Sequence, residues 1–99
     1  MLNINKTVND SSAVLALEGR LDTTTAPELE HALQELLPGM TELTLDFSGL
    51  DYLSSAGLRV LLYAQKTMSK QGIMKVAHVN ETILEIFEVT GFSDILTIE

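Results

Sequence analysis

Ser54 and Ser55 stand side by side between Asp46-Phe47-Ser48-Gly49-Leu50-Asp51-Tyr52-Leu53 and Ala56-Gly57-Leu58-Arg59-Val60-Leu61-Leu62. The stretch crosses from an alternating strand into an aliphatic helix, so both hydroxyls sit where first-turn amide N–H groups lack an intrahelical acceptor. Those donors, with the positive end of the helix dipole, stabilise anions, and a phosphate on Ser54 or Ser55 would find local support. The plainer role for the pair is structural: Ser54 caps the helix and Ser55 fills its first turn. Small Ala56 and Gly57 would keep the helix entrance open to the close approach of another protein's loop.

Asp22 and Asp46 are the other candidates for chemistry, either as paired carboxylates for acid–base work or as strand-end acceptors that order loops. A hydrolase built on them, or on Ser54 as nucleophile, would need a general base, and neither His31 nor His78 has a motif-like placement. The two histidines have no partner histidine nearby in sequence, and no glycine-rich loop ending in Gly-Lys is present, so no metal or nucleotide cofactor is expected. Met68, Met74, Phe87 and Phe92 read as packing residues, and Tyr52 and Tyr63 as packing residues or, where exposed, partner anchors.

The elements that must position these residues follow from periodicity. Leu2 to Val8 and Ser12 to Glu18 alternate as strands joined by a turn at Asn9-Asp10-Ser11. Thr24 or Thr25 caps a helix with Pro27 in its first turn and Leu29, Ala32, Leu33, Leu36 and Leu37 on one face, stopped by Pro38-Gly39. Glu42 to Phe47 is a strand, Ala56 to about Gln71 a helix, and Ile73 to Val79 a buried strand. Asn80 caps a helix carrying Ile83, Leu84, Ile86, Phe87 and Val89, with Gly91 after it, and Ile95 to Ile98 is a terminal strand. Two strands followed by three helix–strand units predict an α/β domain with a mixed central sheet and helices packed against it, spanning 1–99.

Bulk properties narrow the function. A chain of 99 residues holds one core, and 14 acidic against 6 basic residues give a net charge of -8, which repels nucleic-acid phosphates and anionic membranes. The absence of cysteine excludes disulfides, thiolate metal sites and thiol nucleophiles. No apolar run approaches the roughly 18 residues of a membrane span, and a cytoplasmic protein is expected.

The segment Ser54-Ser55-Ala56-Gly57-Leu58 resembles the phosphorylation-loop signature of the STAS-domain anti-sigma factor antagonists, Asp-Ser-Ser-Gly-Leu before an aliphatic helix. Glu18-Gly19-Arg20-Leu21-Asp22, the Leu45-Asp46 strand and Val89-Thr90-Gly91-Phe92 resemble further family motifs, and the element order is the family's. The resemblance implies a non-enzymatic partner switch. The antagonist binds an anti-sigma factor with serine kinase activity and an ATPase fold, a sigma factor is released, phosphorylation blocks binding, and a serine phosphatase restores it. It also implies a partner surface of Asp22, Thr23, Thr24, Ser54, Ser55, Ala56, Gly57, Leu58 and Arg59, with Thr25 nearby. Two positions depart from the pattern: with Gly57-Leu58 aligned, Ser54 replaces the usual Asp and Ala56 the serine most often phosphorylated. Ser55 is then the first choice of acceptor and Ser54 the second, with constitutive binding a third outcome. The alternative is a STAS module governing a secretion system, stress complex or transporter.

Overall fold

The computed structural model describes residues 2–99. Strand β1 (Leu2–Asn9) turns through Asp10-Ser11 into β2 (Ser12–Leu21). Asp10 takes up the positive φ of 57° that so short a hairpin loop requires. Then follow α1 (Ala26–Leu36), β3 (Glu42–Leu53), α2 (Ser55–Ser69), β4 (Ile73–Ala77), α3 (Glu81–Thr90), a 3-10 turn (Phe92–Asp94) and β5 (Thr97–Ile98). The five strands lie in sequence order, β1 antiparallel to β2 and the other pairs parallel, which is the mixed sheet expected.

Period-two alternation decides which face of the sheet is buried. Ala13, Leu15 and Leu17 of β2, Leu43, Leu45 and Phe47 of β3, and Met74 and Val76 of β4 point into one core, met by Leu29 and Leu33 of α1, Leu61, Ala64 and Met68 of α2, and Ile83 and Phe87 of α3. Phe47 and Phe87 meet at the centre with ring centroids 6.3 Å apart. The intervening residues Val14, Ala16, Thr44, Asp46, Lys75 and Ala77 are half-buried or exposed, so the helices cover one face only.

Several boundaries differ from those read in the sequence. β3 continues six residues beyond Phe47 because two register shifts against β2 restore its inward pattern. Ala16 pairs with Asp46 but Glu18 with Gly49, and Gly19 pairs with Leu50 but Arg20 with Tyr52, so β3 carries one extra residue at each step. Asp46 Oδ1 accepts the Ser48 amide (2.9 Å) at the first irregularity. There a Cβ on Gly49 would lie 2.7 Å from Glu18 Cγ. Leu50 and Leu53 thereby both face the core. β4 ends at Ala77, and His78, expected within a strand, instead turns the chain with a φ of 59°. The terminal strand shrinks to two residues because Gly91, in the left-handed conformation at the end of α3, leads into the 3-10 turn.

Candidate functional site

The C-terminal ends of β2 and β3 lie side by side, Leu21 paired with Leu53, and both chains then turn into helices at the same edge of the sheet. In open α/β sheets ligands bind outside the carboxyl ends of the strands. The two turns are joined directly: the Ser54 amide donates to the Leu21 carbonyl at 2.9 Å.

The first turn is organised by Asp22. Its Oδ1 accepts the Thr24 amide (3.0 Å), the Thr24 hydroxyl (2.8 Å) and the Thr25 amide (3.1 Å). Buried Thr25 closes the turn from beneath, its hydroxyl donating to the Arg20 carbonyl (2.8 Å) and accepting the Asp22 amide (2.8 Å). Thr25 is also the residue before α1, with Pro27 in the first turn as expected.

The Thr24 hydroxyl first, with help from Thr25 and the turn amides and against a partial burial that opposes them, lowers the Asp22 pKa from 3.8 to about 2. A depressed carboxylate stabilises the turn fully above its unfolded pKa near 3.8, and that contribution is lost as pH falls through about 2. The Thr24 and Thr25 amide resonances should therefore titrate with a midpoint near pH 2, and Asp22→Asn should abolish that titration. A midpoint near 4 would mean that the hydroxyl and amide bonds do not form in solution.

The second turn is a capped helix start. Ser54, with an extended backbone, accepts the Gly57 amide on Oγ (3.3 Å), so the capping role read from sequence is present. Ser55 is the first residue of α2 and is exposed, as is Arg59 one turn on, while Ser54 and Ala56 are half-buried. Gly57 and Leu58 are buried. A Cβ on Gly57 would stand 2.7 Å from Leu53 Cδ1 and 2.8 Å from Leu21 Cγ. The missing side chain is thus used internally, to seat α2 on the ends of β2 and β3, and not to open the helix entrance. Of the residues expected to meet a partner, Thr23, Thr24, Ser55 and Arg59 are fully outward, with Asp22, Ser54 and Ala56 at the margin.

Beside this edge the structure places a pair not assembled from sequence. The Arg20 guanidinium lies 4.2 Å from the Tyr52 ring centroid, and its Nε is 3.7 Å from Asp22 Oδ2. Only the shifted register, which sets Arg20 against Tyr52, brings these residues together.

The other candidates disperse. Asp46 pairs with Ala16, and Asp22 lies six residues further along the same strand path, about 20 Å away at strand rise, so the two carboxylates do not converge. His31 pairs with Glu35 on the exposed side of α1 (2.7 Å). Among the described residues, no three metal-ligating side chains cluster and no helix is long and apolar enough to cross a membrane.

Residues 4–97 match the family profile described as Mlab, STAS domain. BtrV of Bordetella bronchiseptica, which carries a provisional anti-sigma factor antagonist name, is 33% identical over 91 residues, covering 90% of this chain and 78% of BtrV. The anti-sigma-B factor antagonist of Bacillus subtilis is 28% identical over 98 residues, covering 98% of this chain and 90% of its own length. Two solved structures share the fold. An anti-sigma factor antagonist from Mycobacterium paratuberculosis has TM-score 0.90 at 22% identity, covering 99% of this chain and 85% of its own. Unphosphorylated SpoIIAA has TM-score 0.76 at 16% identity, covering 100% and 87%. Matched along nearly its whole length, with the serine-capped α2 following β3 where the motif resemblance expected it, the chain belongs to the STAS-domain family of anti-sigma factor antagonists.

Proposed function

We propose that this chain is a cytoplasmic anti-sigma factor antagonist that works by binding and has no catalytic step of its own. Unmodified, it docks the edge formed by Thr23, Thr24, Ser55 and Arg59 on an anti-sigma factor with serine kinase activity. Phosphorylation of Ser55 ends the docking, and a serine phosphatase reverses it. The observation carrying this reading is the exposed Ser55 at the head of α2, held against the Asp22 turn by the Ser54–Leu21 hydrogen bond. The names of the B. subtilis and B. bronchiseptica relatives support the partner class.

Ser55 suits the acceptor role better than Ser54. The Ser54 hydroxyl is half-buried and engaged with the Gly57 amide, so modifying it would disturb the cap, whereas Ser55 points outward and takes no part in that cap. A phosphate there brings about -1.5 to -2 charges into the docking edge. A partner of ordinary interface size would cover about 800 Å² of this chain, roughly a seventh of its 5474 Å² surface, and one docked on this edge would have the phosphate within its footprint.

The test is incubation with kinase-type anti-sigma factors and ATP, followed by intact mass, site mapping and pull-down of both forms. One phosphate on Ser55 with loss of binding is the expected result, and Ser55→Ala should bind without being switched. Binding with no phosphate would make the chain a constitutive antagonist. Absence of both would favour a STAS module that regulates another assembly.

A further inference from the structure

The chain has only six basic residues, and three of them, Arg59, Lys66 and Lys70, lie on α2 or at its C-cap. Spacings of seven and eleven residues bring them within about 20° of one line along the helix, a stripe about 16 Å long. All three are exposed, and they line an open groove of about 450 Å³ with half-buried Leu62, Tyr63 and Thr67 between them. Among the described residues none of the three has an ion-pair partner; the pairs that form are Arg20–Asp22 and His31–Glu35. Helix α1, which packs against α2, carries exposed Glu28, Glu30 and Glu35, and α3, on the same face of the sheet, carries exposed Glu81, Glu85 and Glu88. The positive stripe is therefore isolated on a molecule of net charge -8.

We infer that this face of α2 is the docking groove for a short acidic segment of the protein partner, with its carboxylates on Arg59, Lys66 and Lys70 and its apolar side chains on Leu62 and Tyr63. The charge distribution selects that occupant. A duplex or an anionic bilayer is broad enough to meet the acidic surroundings as well as the stripe, and is repelled by them. A narrow segment of a folded partner meets the stripe alone, and the apolar strip between the cations suits an amphipathic helix better than a fully charged chain. The inference rests on the partner-switch reading and deepens it, because Ser55 is one helical turn from Arg59. Phosphate there would place negative charge at the head of the stripe and compete for its first cation.

The first probe is a short helical peptide with leucine on one face and glutamate on the other, titrated into isotopically labelled protein and followed by NMR. Shifts should concentrate on residues 59–70 and fade at about 0.5 M salt. The variant Lys66→Glu/Lys70→Glu should bind about tenfold more weakly and instead accept the peptide with lysine in place of glutamate. Both positions are exposed, and Lys66→Gln/Lys70→Gln provides a neutral control with intermediate binding. Shifts located elsewhere, or persisting in the charge-reversed variant, would overturn the assignment. Equal binding of phosphatidylglycerol vesicles or a DNA duplex would overturn the choice of occupant. Kinase-type anti-sigma factors form the second arm. Retention by wild type and the charge-reversed variant alike would refute the groove and leave the partner reading standing, whereas peptide shifts on α2 with no anti-sigma factor retained would do the reverse.

Discussion

Gly72→Ala is expected to destabilise the domain by about 3 kcal/mol or more, because the new methyl would be driven into backbone that cannot yield. A Cβ at this position would collide with the Thr41 carbonyl oxygen and would lie 2.5 Å from its carbon and 2.8 Å from its Cα. That carbonyl accepts the Ile73 amide (2.9 Å), and the Thr41 amide donates to Ser11 (2.8 Å), so one residue ties the start of β4 and the start of β3 to the β1–β2 hairpin. Relief of the clash breaks at least one of these bonds or shifts three strands together. For a domain of this size the loss corresponds to a fall in melting temperature of about 12 °C or more. Gly39→Ala is the control: its φ of 84° disfavours a side chain but nothing lies within 4 Å, so about 1 kcal/mol is expected. Equal urea midpoints for the two variants would refute the steric account.

That contact also marks the limit of what the pattern of residues reveals. The helices were legible because their apolar positions recur at helical spacing and their ends carry chemistry: Pro27 opens α1, Asn80 caps α3 by accepting the Ile83 amide (2.9 Å), and Gly91 closes it. The end of β3 was not legible. Its alternation breaks at Ser48-Gly49 and again at Asp51, and a single strand does not show that its neighbour advances by two residues where it advances by three. Asn80 has a second bond that spacing could not show, donating through Nδ2 to the Leu50 carbonyl (3.0 Å) and so fastening α3 to the irregular half of β3.

The same distinction divides the site. Ser54 and Asp22 were readable as local acceptors because cap and turn bonds reach only two or three residues. The Arg20–Tyr52 stack spans 32 positions and depends on a shifted register, and the Ser54–Leu21 bond depends on two strands ending together. The cationic stripe lay between these cases. Its spacing is in the sequence, but that its cations form no ion pair among the described residues is a property of the packed surface.

Gly57 is where local pattern and tertiary contact point in opposite directions, and substitution there separates them. Were the glycine kept small for the benefit of a partner's loop, a larger residue would weaken binding and leave stability nearly unchanged. The packing predicts otherwise. Gly57→Ala should cost about 1–3 kcal/mol, and Gly57→Val about 3 kcal/mol or more, since its branched methyls add to contacts already at 2.7 Å from Leu53 and 2.8 Å from Leu21. The strain would push the first turn of α2 away from the sheet, stretching the Ser54–Leu21 and Gly57–Ser54 hydrogen bonds and moving Ser55 from its place beside the Asp22 turn. Leu21→Val trims the side chain struck by the new methyl, so in the double variant with Gly57→Ala the combined loss should be smaller than the sum of the two single losses. Urea denaturation of the four proteins measures that coupling: a clear deficit from additivity places the glycine's role in the seat of α2, whereas strict additivity with an unchanged midpoint for Gly57→Ala would return it to the partner surface.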